Sequence, residues 1–178
     1  MIEVELKAHL EDPAAVEARV AAFAAFAGPF DKFDAYWHGP DWRLSRGTKG
    51  FRVRSEGGTT MVTFKTKRSE GGLEINRERE FGVDDSEALE EFFLRLGCEP
   101  FFTKRKRGRR YELRVDGRER PIGIEILELE GLGHFIEIEI LLEREDPAEV
   151  ALAQGEIKGV LAKAGVGDSQ IESRYYSE

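Results

Sequence analysis

The sequence predicts an α+β domain in which helices pack on one face of an antiparallel sheet and charged side chains occupy the other. Three observations lead to this prediction. At least five segments alternate Glu, Lys or Arg with Val, Ile, Leu or Phe, which is the period-two pattern of strands. Glycine-rich turns separate several of these segments. The dipeptides Asp12-Pro13 and Asp146-Pro147 each place a capping Asp and a Pro where a helix can begin.

The first quarter of the chain is predicted to form a strand, a helix and a second strand. The first strand covers residues 2–10, where charged and apolar residues alternate. A helix with an apolar stripe follows from Asp12-Pro13, and Gly28-Pro29 ends it. Residues 30–38 form the second strand, and the polar, glycine-containing residues 42–50 form a loop.

The middle of the chain is predicted to form three strands and a second helix. The strands cover residues 51–54, 61–67 and 74–83, and Gly57-Gly58 joins the first two in a hairpin. The helix begins at Asp85 or Ser86 and ends at Gly97. Its predicted buried residues are Leu89, Phe92, Phe93 and Leu96.

The last part of the chain adds the remaining strands and a third helix. Residues 101–115 contain a strongly basic run, and residues 122–129 and 135–140 have the composition of strands. The third helix runs from Asp146-Pro147 to about Ala164. We find no Pro/Ser-rich linker, so residues 1–178 are expected to form a single domain.

Composition and charge exclude several classes of protein. The formal net charge of -8 argues against general nucleic-acid binding, which usually needs a basic domain. With a single cysteine, Cys98, the chain can have no disulfide framework, as is usual in a reducing cytosol. No apolar run has the length of a signal peptide or a membrane span. We therefore expect a soluble cytoplasmic protein with no membrane and no nucleic acid among its partners.

The charged strand faces have two interpretations. In the first, the sheet is open, its charged face is solvated, and salt-bridge ladders run across it. In the second, the antiparallel sheet closes on itself, so that the charged faces line a tunnel. A dry interior crowded with charges of both signs would be costly, but a wet one could hold a highly charged ligand.

A metal–triphosphate complex would account for both signs of charge in one cavity. Arginine gives bidentate contacts to phosphate and lysine gives point charges, so Arg52, Arg54, Lys65 and the run of residues 104–107 would suit a polyphosphate. Carboxylates do not bind phosphate, but clustered Glu pairs can hold hard divalent cations through oxygen. Mg²⁺ or Mn²⁺ would then bridge the carboxylates and the phosphate oxygens.

The motifs of the chain resemble those of the CYTH domain family, also called the triphosphate tunnel metalloenzymes. The resemblance begins at Glu3-x-Glu5-x-Lys7 and runs along the whole chain. The later motifs, in order, are Asp34-x-Tyr36 followed by Pro40, Phe51-Arg52-Val53-Arg54, Thr63-Phe64-Lys65, Glu78-x-Glu80, the basic run 104–107 with Tyr111 beyond it, Leu132-Gly133-His134-Phe135-Ile136-Glu137-Ile138-Glu139, and the final Tyr175-Tyr176. Asp34-x-Tyr36 and the Leu-Gly-x-Phe feature are most similar to the class IV adenylyl cyclase branch.

This resemblance implies a closed or nearly closed eight-stranded antiparallel β-barrel with helices packed outside. It also implies a nucleotide or polyphosphate substrate and two divalent metal ions, Mg²⁺ or Mn²⁺. The implied metal ligands are Glu3, Glu5, Glu137 and Glu139. The implied phosphate-binding residues are Arg52, Arg54, Lys65, and Lys104 or Lys106. Lys7 would lie near the phosphates or the attacked phosphorus, and Glu78 and Glu80 would be further acidic tunnel residues.

Two departures from the family pattern affect the expected site. The family commonly has an Asp where this chain has Leu127, and Glu125 lies two residues away on the same strand face. We therefore expect Glu125 to supply the missing carboxylate. The basic run also allows two registers, because either Lys104 and Lys106 or Arg105 and Arg107 could face inward.

Three functions fit these expectations. The first is a class IV type adenylate cyclase that converts ATP to cyclic AMP and pyrophosphate. The second is a metal-dependent triphosphatase acting on tripolyphosphate, thiamine triphosphate or a nucleoside triphosphate. The third is a non-enzymatic binder of nucleotide or polyphosphate. The resemblance also suggests a homodimer.

Overall fold

A closed antiparallel barrel forms the body of the protein in the computed structural model, which describes residues 1–39, 49–70 and 72–174. The eight strands found in these residues are β1 (Ile2–His9), β2 (Ala25–His38), β3 (Lys49–Glu56), β4 (Thr59–Glu70), β5 (Leu73–Val83), β6 (Glu99–Leu113), β7 (Ile122–Leu129) and β8 (Gly133–Leu142). Their order around the barrel is β1-β5-β4-β3-β2-β6-β7-β8, and β8 pairs with β1 to close it. The closed, eight-stranded α+β fold is confirmed.

Three α-helices in the described residues lie outside the barrel, namely α1 (Pro13–Ala21), α2 (Ser86–Arg95) and α3 (Pro147–Lys163). The side chains of Asp12, Asp85 and Asp146 each accept a hydrogen bond from a backbone N–H in the first turn of the helix that follows. These caps satisfy donors that have no partner within the helix. None of these helices is long and apolar enough to cross a membrane.

The main hydrophobic core lies between the outer face of the barrel and two of the helices. It contains Val16 and Val20 of α1, buried residues of α3 such as Ile157, and the outward-facing residues of β1, β7 and β8. Those strands contribute alternate residues, which is why Val4 is fully buried beside charged neighbours. The apolar half of each alternating segment therefore packs under the helices.

The first helix is shorter than expected from the sequence. It ends at Ala21, whereas the apolar stripe predicted a helix reaching Gly28-Pro29. Residues 25–38 instead pair with the long strand β6, which satisfies their backbone groups in a sheet. The pairing register shifts between Phe26 and Gly28. Gly28 has a φ of 127°, a backbone conformation that favours glycine.

The second helix buries less than the sequence predicts. Phe93 is buried and contacts Phe51 and Trp37, with ring centroids 4.8 and 5.5 Å apart. The side chains of Phe92 and Leu96, both expected in the core, are 54% and 59% exposed. The prediction was wrong for these two residues because this short helix rests on the barrel mainly through Phe93.

Two strands approach unusually closely at Gly108. A Cβ atom added there would lie 2.2 Å from the carbonyl oxygen of Ile126 and 2.8 Å from Cα of Leu127. Backbone atoms cannot retreat as the end of a flexible side chain could. Glycine at this position therefore allows β6 and β7 to pair. Gly155, in the interior of α3, has no atom within 4 Å of such a Cβ.

We predict that Gly108→Ala lowers the free energy of unfolding by roughly 1–3 kcal/mol, because the new methyl group overlaps the backbone of β7. Gly155→Ala is the matched control and should raise it by roughly 0.5–1 kcal/mol, since alanine is the better helix former. Urea denaturation of the two variants measures both changes. A Gly108→Ala protein as stable as the wild type would show that the close approach imposes no constraint.

Candidate functional site

The inner face of the barrel carries every residue that the sequence analysis assigned to a site. Alternation along β1 and β8 puts the apolar residues of the core outside and glutamate and lysine inside. Hydrogen bonds and electrostatic interactions connect the charged side chains across the interior. The residues concerned are Glu3, Glu5, Lys7, Arg52, Arg54, Lys65, Glu78, Glu80, Lys104, Lys106, Glu125, Glu137 and Glu139.

The register of the basic run is settled by its partners. Lys106 donates to Glu137 and Lys104 lies 3.9 Å from Asp34, so both lysines face inward. Arg105 instead forms an exposed ion pair with Asp31 at 2.6 Å, and the outward-facing Arg107 contacts the same carboxylate. The alternative register, with the two arginines inside, is therefore excluded.

Three cations surround one buried carboxylate on the inner face, and we call Arg52, Arg54 and Lys104 the cation cluster. Asp34 accepts two hydrogen bonds from Arg54, at 2.7 and 2.9 Å, in a bidentate arrangement. Arg52 and Lys104 each lie 3.9 Å from the same carboxylate. Burial alone would raise the pKa of Asp34, but these three cations hold it well below its ordinary value. Asp34 therefore stays ionised inside the barrel.

A second contact orients Arg52 within the cluster. Its Nη2 donates to Oγ1 of Thr63 at 3.1 Å, and that hydroxyl donates to Glu80 at 2.8 Å. Arg52 also lies 3.7 Å from Glu80. Asp34 on β2 and the pair Thr63 and Glu80 on β4 and β5 thus hold the guanidinium group from two sides. Its remaining N–H groups therefore have a fixed orientation.

Four carboxylates meet on β1 and β8, and we call Glu3, Glu5, Glu137 and Glu139 the carboxylate group. Glu5 and Glu139 are direct cross-strand partners, although they come from opposite ends of the chain. Burial, with repulsion from Glu3, Glu137 and Glu74, raises the pKa of Glu5 to about 7. Burial and the neighbouring carboxylates likewise raise the pKa of Glu139 to about 8. These carboxylates repel one another strongly.

Lysine side chains hold part of the carboxylate group. Glu3 accepts from Lys65 at 3.0 Å and from the Asn76 amide at 2.8 Å. Glu137 accepts from Lys106 at 2.6 Å. Lys65 also contacts Glu78, and Lys7 contacts Glu74.

The donor chemistry of the carboxylate group fits a hard divalent cation. Its members offer only oxygen, which Mg²⁺ and Mn²⁺ prefer. Burial first, and repulsion between carboxylates second, raise the pKa values of Glu5 and Glu139, and a bound cation would oppose both effects. Within residues 1–39, 49–70 and 72–174, however, no three acidic, histidine or cysteine side chains converge closely enough to hold a metal ion as they stand. Metal binding would therefore require side-chain movement.

Glu125 is tied to two cations. It accepts from Lys32 at 2.6 and 2.8 Å and from Arg110 at 3.0 Å. Burial would raise the pKa of Glu125, but the charges of Lys32 and Lys106 and the hydrogen bond from Lys32 together lower it. Leu127, at the position where the family has Asp, packs with Phe30, Leu129 and Phe135 in an apolar patch of the same inner face.

Sequence reasoning missed several inward-facing residues. Lys32, Glu74 and Arg110 each form a buried or half-buried ion pair, and none was assigned to the site. Asp34 was part of a motif but was given no role. The period-two pattern did contain a signal, because Lys32 lies two residues before Asp34, and Glu74 lies four residues before Glu78.

The fold and its inner face define a class of closed β-barrel proteins whose interior is lined with charged side chains of both signs. A model of the CYTH domain matches residues 1–176, and the chain belongs to the CYTH domain family. It is 28% identical over 141 residues to "Putative adenylate cyclase MJ0240" of Methanocaldococcus jannaschii. The aligned region covers 78% of this chain and 77% of that protein.

Solved structures share the same fold. The PH1819 protein of Pyrococcus horikoshii is 26% identical, with a TM-score of 0.82 and coverage of 98% of this chain and 95% of that one. The HpAC1 protein of Hippeastrum is 16% identical, with a TM-score of 0.67 and coverage of 97% and 90%, respectively. At that identity the likeness to HpAC1 shows the fold alone.

The ionisation of Lys104 gives the cation cluster a measurable pH dependence. Burial lowers the pKa of Lys104 to about 8; Tyr36, Asp34 and Glu137 oppose this shift, and Lys106 adds to it. The ammonium form, which binds phosphate, is therefore present below this pH and is lost as the pH rises through it.

We predict that the wild type loses affinity for metal-free tripolyphosphate above pH 8, relative to Lys104→Met. The ratio of the two affinities should fall by up to about tenfold for each further pH unit. The comparison with Lys104→Met removes the titration of tripolyphosphate itself, which affects both proteins alike. Isothermal titration calorimetry at several pH values measures the ratio of the two affinities. A ratio independent of pH would contradict the assignment of Lys104 to the phosphate-binding residues.

Proposed function

We propose that this protein is a metal-dependent enzyme of the class IV adenylyl cyclase type that converts ATP to cyclic AMP and pyrophosphate. The observation that carries the proposal is the presence of two groups on one inner face, the cation cluster on β3 and β6 and the carboxylate group on β1 and β8. The name of the Methanocaldococcus relative supports the choice of reaction.

The cations of the inner face would bind the triphosphate. Arg52 and Arg54 offer planar donors for bidentate contacts, and Lys65, Lys104 and Lys106 offer point charges. Asp34 holds Arg54 in a fixed orientation, so little side-chain entropy remains to be lost when phosphate binds. We assign Lys7, which lies on the same face of β1 as the carboxylates, to the neighbourhood of the attacked phosphorus.

The carboxylate group would hold two divalent cations, Mg²⁺ or Mn²⁺, with Glu78 and Glu80 as further acidic residues of the tunnel. When bound, such cations neutralise phosphate charge and lower the pKa of the attacking hydroxyl group. The chain itself supplies the oxygen ligands and keeps them on two adjacent strands.

The reaction would join the ribose 3′-oxygen to the α-phosphorus while the bond from that phosphorus to the β-phosphate oxygen breaks. Pyrophosphate leaves, and the hydroxyl proton passes to a carboxylate of the inner face or to water. Negative charge develops on the leaving pyrophosphate, where the buried arginines and lysines would stabilise it. We assign Glu125, held by Lys32 and Arg110, as the catalytic carboxylate that replaces the one missing at Leu127.

A triphosphatase is the second candidate. The same inner face could position water against the terminal phosphorus of tripolyphosphate, thiamine triphosphate or a nucleoside triphosphate. HpAC1 is described as an adenylyl cyclase candidate with a dominant triphosphatase activity. This description of a protein with the same fold supports triphosphate hydrolysis as the second candidate. The two reactions differ in the nucleophile, a ribose hydroxyl group or water, and in which phosphorus it attacks.

Two expectations stay predictions, namely the cytoplasmic location expected from the composition and the homodimer suggested by the family resemblance.

Product analysis separates these reactions. The protein would be incubated with Mg²⁺ or Mn²⁺ and, in parallel, with ATP, tripolyphosphate and thiamine triphosphate. We expect cyclic AMP and pyrophosphate from ATP; release of orthophosphate would select the triphosphatase instead. Neither product from any substrate would contradict both.

The same assay tests the carboxylate group with a variant and a matched control. Glu137→Gln should abolish turnover, because the amide removes a charged oxygen ligand. Glu143→Gln, an exposed position just beyond β8, should leave turnover unchanged. Full activity in Glu137→Gln would refute the assignment of this carboxylate.

The role of Glu125 is testable separately. We predict that Glu125→Gln lowers turnover by about tenfold or more, in the range of a lost acid–base or charge contribution. Glu128→Gln, exposed on the outer face of the same strand, is the control. Initial rates at saturating ATP measure both variants, and melting temperatures show whether the loss reflects unfolding. Wild-type turnover in a folded Glu125→Gln protein would exclude the role.

A further inference from the structure

The proposed ligands of the metal and of the phosphates are bound to each other. Lys65 donates to Glu3 at 3.0 Å, and Lys106 donates to Glu137 at 2.6 Å. Each pair joins a residue assigned to phosphate with a residue assigned to metal. This arrangement also accounts for the lack of a preformed metal site in the described residues, because the lysines occupy oxygens that a metal would need.

We propose that these two pairs exchange partners when a metal–triphosphate complex binds. Lys65 and Lys106 pass from carboxylate to phosphate, while Glu3 and Glu137 pass from lysine to metal. No covalent bond changes, and every charge keeps a partner of opposite sign. This inference rests on the proposed function and adds that metal and triphosphate each bind poorly without the other.

The physical reason lies in the burial of both pairs. The side chains of Lys106 and Glu137 are 7% and 9% exposed, so neither charge is well solvated by bulk water. A metal ion that takes Glu137 alone removes the hydrogen-bond acceptor of Lys106 and places a second positive charge beside this buried ammonium group. Triphosphate that takes Lys106 alone removes the hydrogen-bond donor of Glu137, which lies beside the other carboxylates. Only the combined ligand restores both.

Lys104 provides an internal contrast. It is also an inward-facing cation assigned to phosphate, and it lies 3.9 Å from Asp34 and interacts electrostatically with Glu137. Asp34 is not among the proposed metal ligands, and it keeps its bidentate partner Arg54. Lys106, in contrast, donates two hydrogen bonds to Glu137, so removing Lys106 should free this carboxylate more than removing Lys104 does.

The first experiment measures Mn²⁺ binding without triphosphate, by electron paramagnetic resonance of free Mn²⁺. Lys106→Met should bind Mn²⁺ about tenfold or more tightly than the wild type, because Glu137 is released and a nearby positive charge is removed. Lys104→Met should gain less than Lys106→Met, because the two hydrogen bonds to Glu137 come from Lys106. Equal affinities in Lys106→Met and wild type, or an equal gain in both variants, would overturn the proposal.

The reciprocal experiment measures triphosphate binding without metal. The probe is bis-methylene triphosphate, whose P–C–P bridges resist hydrolysis, titrated calorimetrically in excess EDTA. Glu137→Gln should bind it more tightly than the wild type, because Lys106 is no longer held by a carboxylate. Glu143→Gln should match the wild type. Unchanged or weaker binding in Glu137→Gln would contradict the exchange.

The failure of this inference can be told apart from failure of the proposed function. Absence of turnover on all three triphosphates would refute the function, whatever the binding data show. Turnover combined with unaltered Mn²⁺ affinity in Lys106→Met would refute the exchange alone. Should Lys106→Met fail to fold, Lys65→Met makes the same test at Glu3, and an unchanged Mn²⁺ affinity there would be equally decisive.

Discussion

Charge compensation inside the barrel is the constraint on which the rest of the structure depends. A closed sheet gives every strand an inner face, and in this chain those faces carry glutamate, aspartate, lysine and arginine. Such an interior is stable only if each buried charge has a partner. Asp34 beside Arg54, and Glu137 beside Lys106, show how the fold meets this condition. The three cations around Asp34 hold its pKa well below the ordinary value, so this carboxylate stays ionised.

The apolar half of the pattern explains why the barrel can tolerate this interior. Val4, Ile138 and Ile157 belong to a continuous core outside the barrel. This core buries the apolar surface that stabilises the fold, which the charged inner side chains do not provide. The helices therefore act as the second layer of the domain. Stability is concentrated outside and binding capacity inside, because side chains alternate along each strand.

The period of two predicted the strands and which residues share a strand face, but it left an open sheet and a closed tunnel as alternatives. The closed barrel was implied by the resemblance to the CYTH family. The sequence predicted less well where tertiary contacts decide. Residues 25–27 have the pattern of a helix but pair with β6, and Phe92 looks like a core residue but is exposed on a short helix. Lysine–carboxylate pairs such as Lys106 and Glu137 could not be predicted, because pairing between strands depends on the register of the closed barrel.

The adjacency of β1 and β8 has a consequence for the order in which the protein folds. Glu5 and Glu139 become neighbours only when the first strand pairs with the last, and this pairing closes the barrel. During synthesis the first strand must wait for nearly the whole chain to emerge, and contacts of such long sequence separation form slowly. The carboxylate group is therefore assembled only when the barrel closes, so a partly folded chain lacks this part of the proposed site.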